Sequence, residues 1–342
     1  MKKSIIILIL LVSVVSLFAE TKISMKIWNR YTLAMEDGDL TENGIAVKRG
    51  YLRLEPNFGG GIKGRFNLDF FSDDDANDGA GIKLKYAYID YKKMPIEDSK
   101  ISVGLTKNYF GTIYSWSYPT IEKDPADKYG YISSTDYGLA FSGNLPKGYG
   151  EYAVGIYNGE GYKKTGGDLN TSMAFLGNVR VIPIPGLMMG GSVYSTEYDM
   201  GNDKTDFMAI AGLTKLSYQK FSILAEYLTK EDDEITSSAI MIMPKVVVTN
   251  CLDLIGRYDM VDYDTDNDDV YGGKVKNSDN SSFLAGFNWH IKKTKKQKPV
   301  LTLQANFMNT AFDAEETATG EEIYDEQTFK VQLKWKFSHK ID

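Results

Sequence analysis

Basic residues recur in this chain at spacings of two and four: Arg49 and Arg53, Lys63 and Arg65, Lys83 and Lys85, then Lys330, Lys334 and Lys336. Lys26 and Arg30 repeat the spacing near the start. Alternate side chains of an extended strand share a face, so each set projects its charges to one side. Such a wall raises the local anion concentration and favours anion passage. The plainer reading is that these cations hydrate an internal face and pair with carboxylates; their clustering on neighbouring segments favours selectivity. Hydrolytic chemistry fits less well, because it needs a His beside a Ser or a carboxylate. Only His290 and His339 are present, and His339 falls after the last expected strand. The single Cys251 reads as a small strand residue, and no motif asks for a cofactor or a metal.

The segment that ends in these cations shows what positions them. In Phe329-Lys330-Val331-Gln332-Leu333-Lys334-Trp335-Lys336-Phe337, odd positions are apolar and even positions are Lys or Gln. One face is greasy and the other cationic, as in the last strand of an outer-membrane β-barrel. Near the N-terminus, Lys2 and Lys3 precede an apolar run beginning at Ile5, and Ala19 before Glu20 is a plausible cleavage point. The run is short for a spanning helix, so 1–19 reads as a signal peptide and 20–342 as one barrel domain. Tyr numbers 23, Gly 32 and aromatics 13%, while the mean hydropathy is negative. That combination suits a barrel in which lumen-facing polar residues dilute the lipid-facing ones. The net charge of −7 argues against a nucleic-acid partner.

Alternating segments predict an all-β, transmembrane antiparallel barrel of about 16 strands: 22–35, 45–56, 61–71, 81–91, 100–109, 135–144, 150–157, 171–182, 187–197, 206–217, 219–229, 236–247, 251–260, 281–292, 299–308 and 327–337. The segment 236–247 is the weakest, since Pro244 interrupts it. Trp28 is the odd member of 22–35, falling on the inward face. Short joins alternate with longer ones, notably 110–134, 158–170, 259–280 and 309–326, as short periplasmic turns and long outer loops would. The outer connectors carry acids such as Glu36, Asp37, Asp39 and Glu42, Asp73 to Asp75, Glu231 to Glu234 and Asp262 to Asp269, while 292–298 is rich in Lys. The rim is read as solvated, with divalent-cation bridging to lipid headgroups as the sharper alternative. The spacing from Asp262 to Asp269 does not fit an EF-hand.

An open barrel of this size needs something to narrow it. The connector from Phe110 to Gly130 is the candidate, with Tyr114, Trp116 and Tyr118, two prolines, and Lys123. Its acids Glu122, Asp124 and Asp127 are expected to face the basic wall across an eyelet. Arg180, Glu226, Asp253, Arg257, Asn288, His290, Gln304 and Asn306 give later strands a mixed lining.

Five stretches in order carry a family resemblance: Lys48-Arg49-Gly50-Tyr51-Leu52-Arg53-Leu54, Gly104-Leu105-Thr106-Lys107-Asn108-Tyr109-Phe110-Gly111, Asp136-Tyr137-Gly138-Leu139-Ala140-Phe141-Ser142-Gly143, Val154-Gly155-Ile156-Tyr157-Asn158-Gly159-Glu160-Gly161 and Ala285-Gly286-Phe287-Asn288-Trp289. Together they resemble the phosphate-selective porin O/P family over most of the mature chain. The resemblance implies a sixteen-stranded homotrimeric porin in outer-membrane lipid, its third outer loop folded into each pore. Phosphate-specific members carry arginines on that loop; here it has only Lys123 and Lys128 as cations. The resemblance therefore implies a channel for small hydrophilic solutes, with an anion preference and without phosphate specificity. The competing classes are a barrel hydrolase and a non-conducting structural or adhesion barrel.

Overall fold

The computed structural model describes residues 20–72, 79–164, 169–200, 203–233, 235–265, 279–295, 298–313 and 322–341. The expected leader 1–19 lies outside the described residues, as do rim acids Asp73 to Asp75, Glu234, Asp266 to Asp269, Glu315 and Glu316. The strands are β1 (Thr21–Glu36), β2 (Asp39–Gly59), β3 (Ile62–Ser72), β4 (Ala80–Tyr91), β5 (Ser99–Lys107), β6 (Thr135–Leu145), β7 (Gly150–Tyr157) and β8 (Ala174–Ile184). They continue as β9 (Leu187–Met200), β10 (Asp203–Tyr218), β11 (Phe221–Asp232), β12 (Ile235–Thr249), β13 (Leu252–Asp262), β14 (Asn280–Lys293), β15 (Pro299–Phe312) and β16 (Glu326–Ile341). Each pairs antiparallel with its chain neighbours and β16 returns to β1, giving one closed sixteen-stranded barrel. Closure leaves no sheet edge, so every strand finds hydrogen-bond partners on both sides.

Alternation sorts the side chains as the sequence predicts. In β16, Phe329, Leu333, Trp335 and Phe337 stand exposed on the outside, while Lys330 and Lys334 reach inward to the loop inside the lumen. Val103, Leu139, Val154, Phe175, Leu254 and Phe283 continue the apolar outer face around the wall. A water-facing surface avoids so large a contiguous apolar area. No helix among the described residues is long and apolar enough to cross a membrane, which says nothing of strands.

Several boundaries differ from expectation. The first outer connector, expected over 36–44, is a two-residue turn at Asp37 and Gly38, with φ of 47° and 84°. Positive φ at both positions matches the twist of a hairpin, and Asp-Gly tolerates it. Glu42 therefore lies on β2, and Glu231 and Asp232 lie on β11. The strict long-short rhythm holds only in part. Pro244 is accommodated in β12, where the ladder to β13 passes over Met243 and Pro244. The chain beyond Phe337 is strand, not tail: Ser338 to Ile341 pair with Ser24 back to Thr21. His339 accordingly belongs to β16, stacked on Phe337.

Irregularities in two ladders reset which residues face inward. The β1–β2 register skips Lys48, and the β3–β4 register skips Lys85. A bulge adds a residue to one strand and shifts the alternation by one. Lys85 and Tyr86 consequently both line the lumen, which unbroken alternation forbids.

Gly104 is the tightest point of the short β4–β5 ladder, which holds only five register pairs. Its φ is +117°, and an added Cβ would sit 2.4 Å from the carbonyl oxygen of Ala87. Backbone strain of this kind costs about 1–3 kcal/mol before the clash is counted. Gly104→Ala is expected to lower the urea midpoint or abolish the compact band on unheated SDS gels. Gly212→Ala, with nothing within 4 Å of the new carbon, is expected to leave both unchanged.

Candidate functional site

The connector between β5 and β6, residues 108–134, folds into the barrel and lies against the far wall. Gly111 and Thr112 anchor its first turn. The Gly111 N–H donates to Ser192 on β9 at 3.0 Å, and the Thr112 N–H and hydroxyl donate to Glu226 on β11 at 2.6 and 2.5 Å. Arg180 on β8 donates to the Gly111 carbonyl. A Cβ at Gly111 would approach the Glu226 carboxylate to 2.2 Å, so only glycine permits this contact.

Farther along, neutral amides hold the loop backbone. Asn288 donates to the Pro119 carbonyl at 2.9 Å, Gln304 to the Tyr118 carbonyl at 3.1 Å, and Asn306 accepts from the Ile121 N–H at 2.7 Å. Charged groups complete the attachment. Arg257 donates to the Lys123 carbonyl at 2.5 Å, and Lys128 pairs with Asp259 at 2.9 Å. A short helix, α1 (Pro125–Lys128), is capped by Asp124, which accepts from the Asp127 N–H at 3.1 Å. The expected lining residues Arg180, Glu226, Arg257, Asn288, Gln304 and Asn306 thus act mainly as tethers.

With the loop held to one side, the open passage runs between it and strands β1 to β5. Part of it is a cavity of about 240 Å³. The expected basic residues Arg49, Arg53, Arg65 and Lys85 line it, and Lys26 and Lys107 join them. Arg49 is caged by three rings, its guanidinium carbon lying 4.6 Å from Trp28, 4.7 Å from Tyr51 and 4.8 Å from Tyr118. Trp28 packs edge-on against Tyr118 at 4.6 Å, so its inward position closes the loop tip onto the wall.

The rest of the expected wall divides by position and pairing. Lys63 lines a separate cavity at the short-turn mouth, and Lys336 lines another beneath Tyr118. Carboxylates neutralise part of the set: Arg65 pairs with Glu55 at 2.6 Å, Arg49 with Asp69 at 3.6 Å and Lys83 with Asp69 at 4.0 Å. Lys330 pairs with Glu122 at 2.8 Å. Lys334 donates to the Tyr118 carbonyl at 3.0 Å and lies over Trp28. Among the described residues, Lys26, Arg53, Lys85, Lys107, Lys334 and Lys336 have no carboxylate within the 4.0 Å that defines an ion pair.

The three loop acids do not act alike: Glu122 meets Lys330 of the expected wall, while Asp124 and Asp127 line the cavity with its other cations. Burial resists ionisation of Glu122, yet Lys330 and Lys128 hold its carboxyl down at about 2. Asp124 is turned inward as the helix cap, and burial, with Asp127 and Glu226 nearby, pushes its carboxyl up to about 8. Asp127 alone remains half-exposed in the passage, pairing with Lys123 at 3.2 Å. Tyr114 donates to Glu151 at 2.6 Å, and the Trp116 indole donates to the Glu122 carbonyl at 3.1 Å. Among the described residues no acid, His or Cys cluster is placed to hold a metal. His290 lies between Asp253 at 3.2 Å and Thr302 at 3.1 Å, below the loop.

Tyr51 and Trp28 were legible in the sequence, since Arg49-x-Tyr51-x-Arg53 and Lys26-x-Trp28-x-Arg30 each share one face. Tyr86 was not, because it reaches the lumen through the bulge at Lys85.

No protein-family model and no curated protein matches the sequence. Solved structures do match in fold. An anion-selective porin from Comamonas acidovorans superposes with a TM-score of 0.63 at 13% identity, covering 93% of this chain and 99% of that one. The outer-membrane channel DcaP of Acinetobacter baumannii gives 0.65 at 13% identity, covering 93% and 96%. OmpT of Vibrio cholerae, in a trimer form, gives 0.62 at 11% identity, covering 93% and 99%. At these identities the likeness is one of fold: this chain has the closed sixteen-stranded antiparallel barrel of the bacterial porins.

Proposed function

We propose that this protein is a porin of the bacterial outer membrane, an aqueous diffusion channel for small hydrophilic solutes that prefers anions. The observation that carries the reading is the passage left between the tethered loop and strands β1 to β5, where cations outnumber carboxylates. Lys26, Arg53, Lys85 and Lys107 face it without an ion-pair partner among the described residues, and Asp127 is the one half-exposed acid opposite. An uncompensated positive field in a narrow pore lowers the barrier to anions and raises it for cations. The apolar outer face supplies the lipid contact, and removal of 1–19 as a signal peptide supplies the export route.

The finer resemblance, to phosphate-selective porins, does not extend the proposal to phosphate specificity. The loop contributes no arginine, and the arginines at the eyelet, Arg49, Arg53 and Arg65, come from the barrel wall. Homotrimeric assembly forms part of the proposal, supported by the family resemblance and by the trimer form of a structural neighbour. The acidic rim is read as a solvated surface.

Reconstituted into planar bilayers in KCl, the protein is expected to give stable conductance steps; a chain that inserts without conducting is a structural barrel instead. In asymmetric KCl the reversal potential is expected to carry the sign of chloride preference, and the opposite sign overturns the basic-wall assignment. Replacing Arg53 and Lys85 together by Glu is expected to reduce the chloride-to-potassium ratio several-fold. Glu226→Ala removes the acceptor for both Thr112 donors, each unmade buried bond costing about 1–3 kcal/mol. A larger and noisier conductance is expected, whereas unchanged traces would mean the loop is held without Glu226.

A further inference from the structure

The passage is built of rings and cations, with few of the neutral groups that usually line a water-filled channel. Tyr51 and Tyr86 line it from the wall, and Tyr114, Trp116 and Tyr118 line it from the loop, Tyr114 and Trp116 also lying against Arg180 and Arg257 of the far wall. Tyr86 donates no hydrogen bond among the described residues and lies half-exposed beside Arg65, 5.8 Å from ring centre to guanidinium. The ammonium groups of Lys26 and Lys107 likewise make no hydrogen bond or ion pair among the described residues, although Lys26 lies 5.9 Å from the Tyr51 ring. The neutral amides Asn288, Gln304 and Asn306, which could serve a polyhydroxylated solute, are committed to the loop backbone on the other side.

Resting on the porin reading above, we infer that this passage takes flat organic anions, monocyclic aromatic carboxylates, ahead of inorganic phosphate or sugars. The two chemistries it offers match the two ends of such a solute. The ammonium groups of Lys26 and Lys107 and the guanidinium of Arg53, which holds Asn67 but no carboxylate, donate to the carboxylate, and ring faces receive the aromatic body by offset or edge-on stacking. A sugar needs paired donors and acceptors for its hydroxyls, and Asp127 is the sole half-exposed acid that lines the cavity. Inorganic phosphate uses the cations and leaves the rings unused. A cavity of about 240 Å³ is smaller than a drug-sized pocket, so it suits one ring rather than a fused system.

The test uses the full-length protein in planar bilayers, with ion current read in KCl while benzoate, cyclohexanecarboxylate or inorganic phosphate is added at equal concentration. Benzoate and cyclohexanecarboxylate share charge and size but differ in having a flat π-face. Benzoate is expected to interrupt the current with an apparent affinity about fivefold tighter than cyclohexanecarboxylate, the scale of one aromatic contact. Tyr86→Phe is expected to keep that ratio and Tyr86→Leu to shrink it toward one. Equal block by the two carboxylates in the wild-type protein overturns the inference, because charge and size then suffice. Stronger block by phosphate than by benzoate also overturns it. A protein that gives no conductance in KCl alone fails at the earlier step, so the two readings fail separately.

Discussion

Residues Thr21 to Glu36 pair one for one with Ile341 back to Glu326, and this seam turns a sixteen-stranded sheet into a tube. Backbone groups that face lipid find no water, so each must be satisfied by a neighbouring strand. Without the seam, β1 and β16 would expose open edges. With it, the lumen becomes a separate compartment in which polar and charged residues can be buried. The segment after Phe337 makes sense in these terms, as the last rungs of the seam.

Inside the tube, the central device is a division of labour between two walls. Strands β8 to β16 spend their polar side chains on the loop: Arg180, Glu226, Arg257, Asn288, Gln304 and Asn306 bond its backbone or its side chains. Strands β1 to β5 turn theirs toward the passage, where Lys85 also donates to Ser134 at the end of the loop. Hydrogen bonds that hold a loop at many points make its position cooperative, since releasing one leaves a buried group unsatisfied. The tip reaches across at Tyr118, where Trp28 and Arg49 receive it. Arg49 therefore serves both walls: it belongs to the cationic face and locks the loop tip.

Much of this was legible in the sequence because strand periodicity is a local property. All sixteen strands and the apolar outer face follow from alternation, and the inward loop stands out by its length and its aromatic content. Boundaries were harder at the rim. Glu42, Asn43 and Gly44 have loop-like composition, yet the Asp37–Gly38 turn carries the hairpin beyond the expected end of the strand. The separate roles of the loop acids were not legible. Composition alone does not say that Lys330 would neutralise Glu122 or that Asp124 would turn inward to cap a helix of four residues.

What the sequence determined by itself, then, is the sorting of side chains between lipid and lumen, because a period of two needs only neighbouring residues. Tertiary structure decided which lumen residues meet. Bulges at Lys48 and Lys85 change the facing of everything after them, and the loop's path selects which cations are paired and which stay open to the passage. Those outcomes depend on contacts between residues far apart in the chain, such as Lys334 with Tyr118, 216 positions away, and Arg30 with Gln332, 302 positions away. A local pattern contains no term for them.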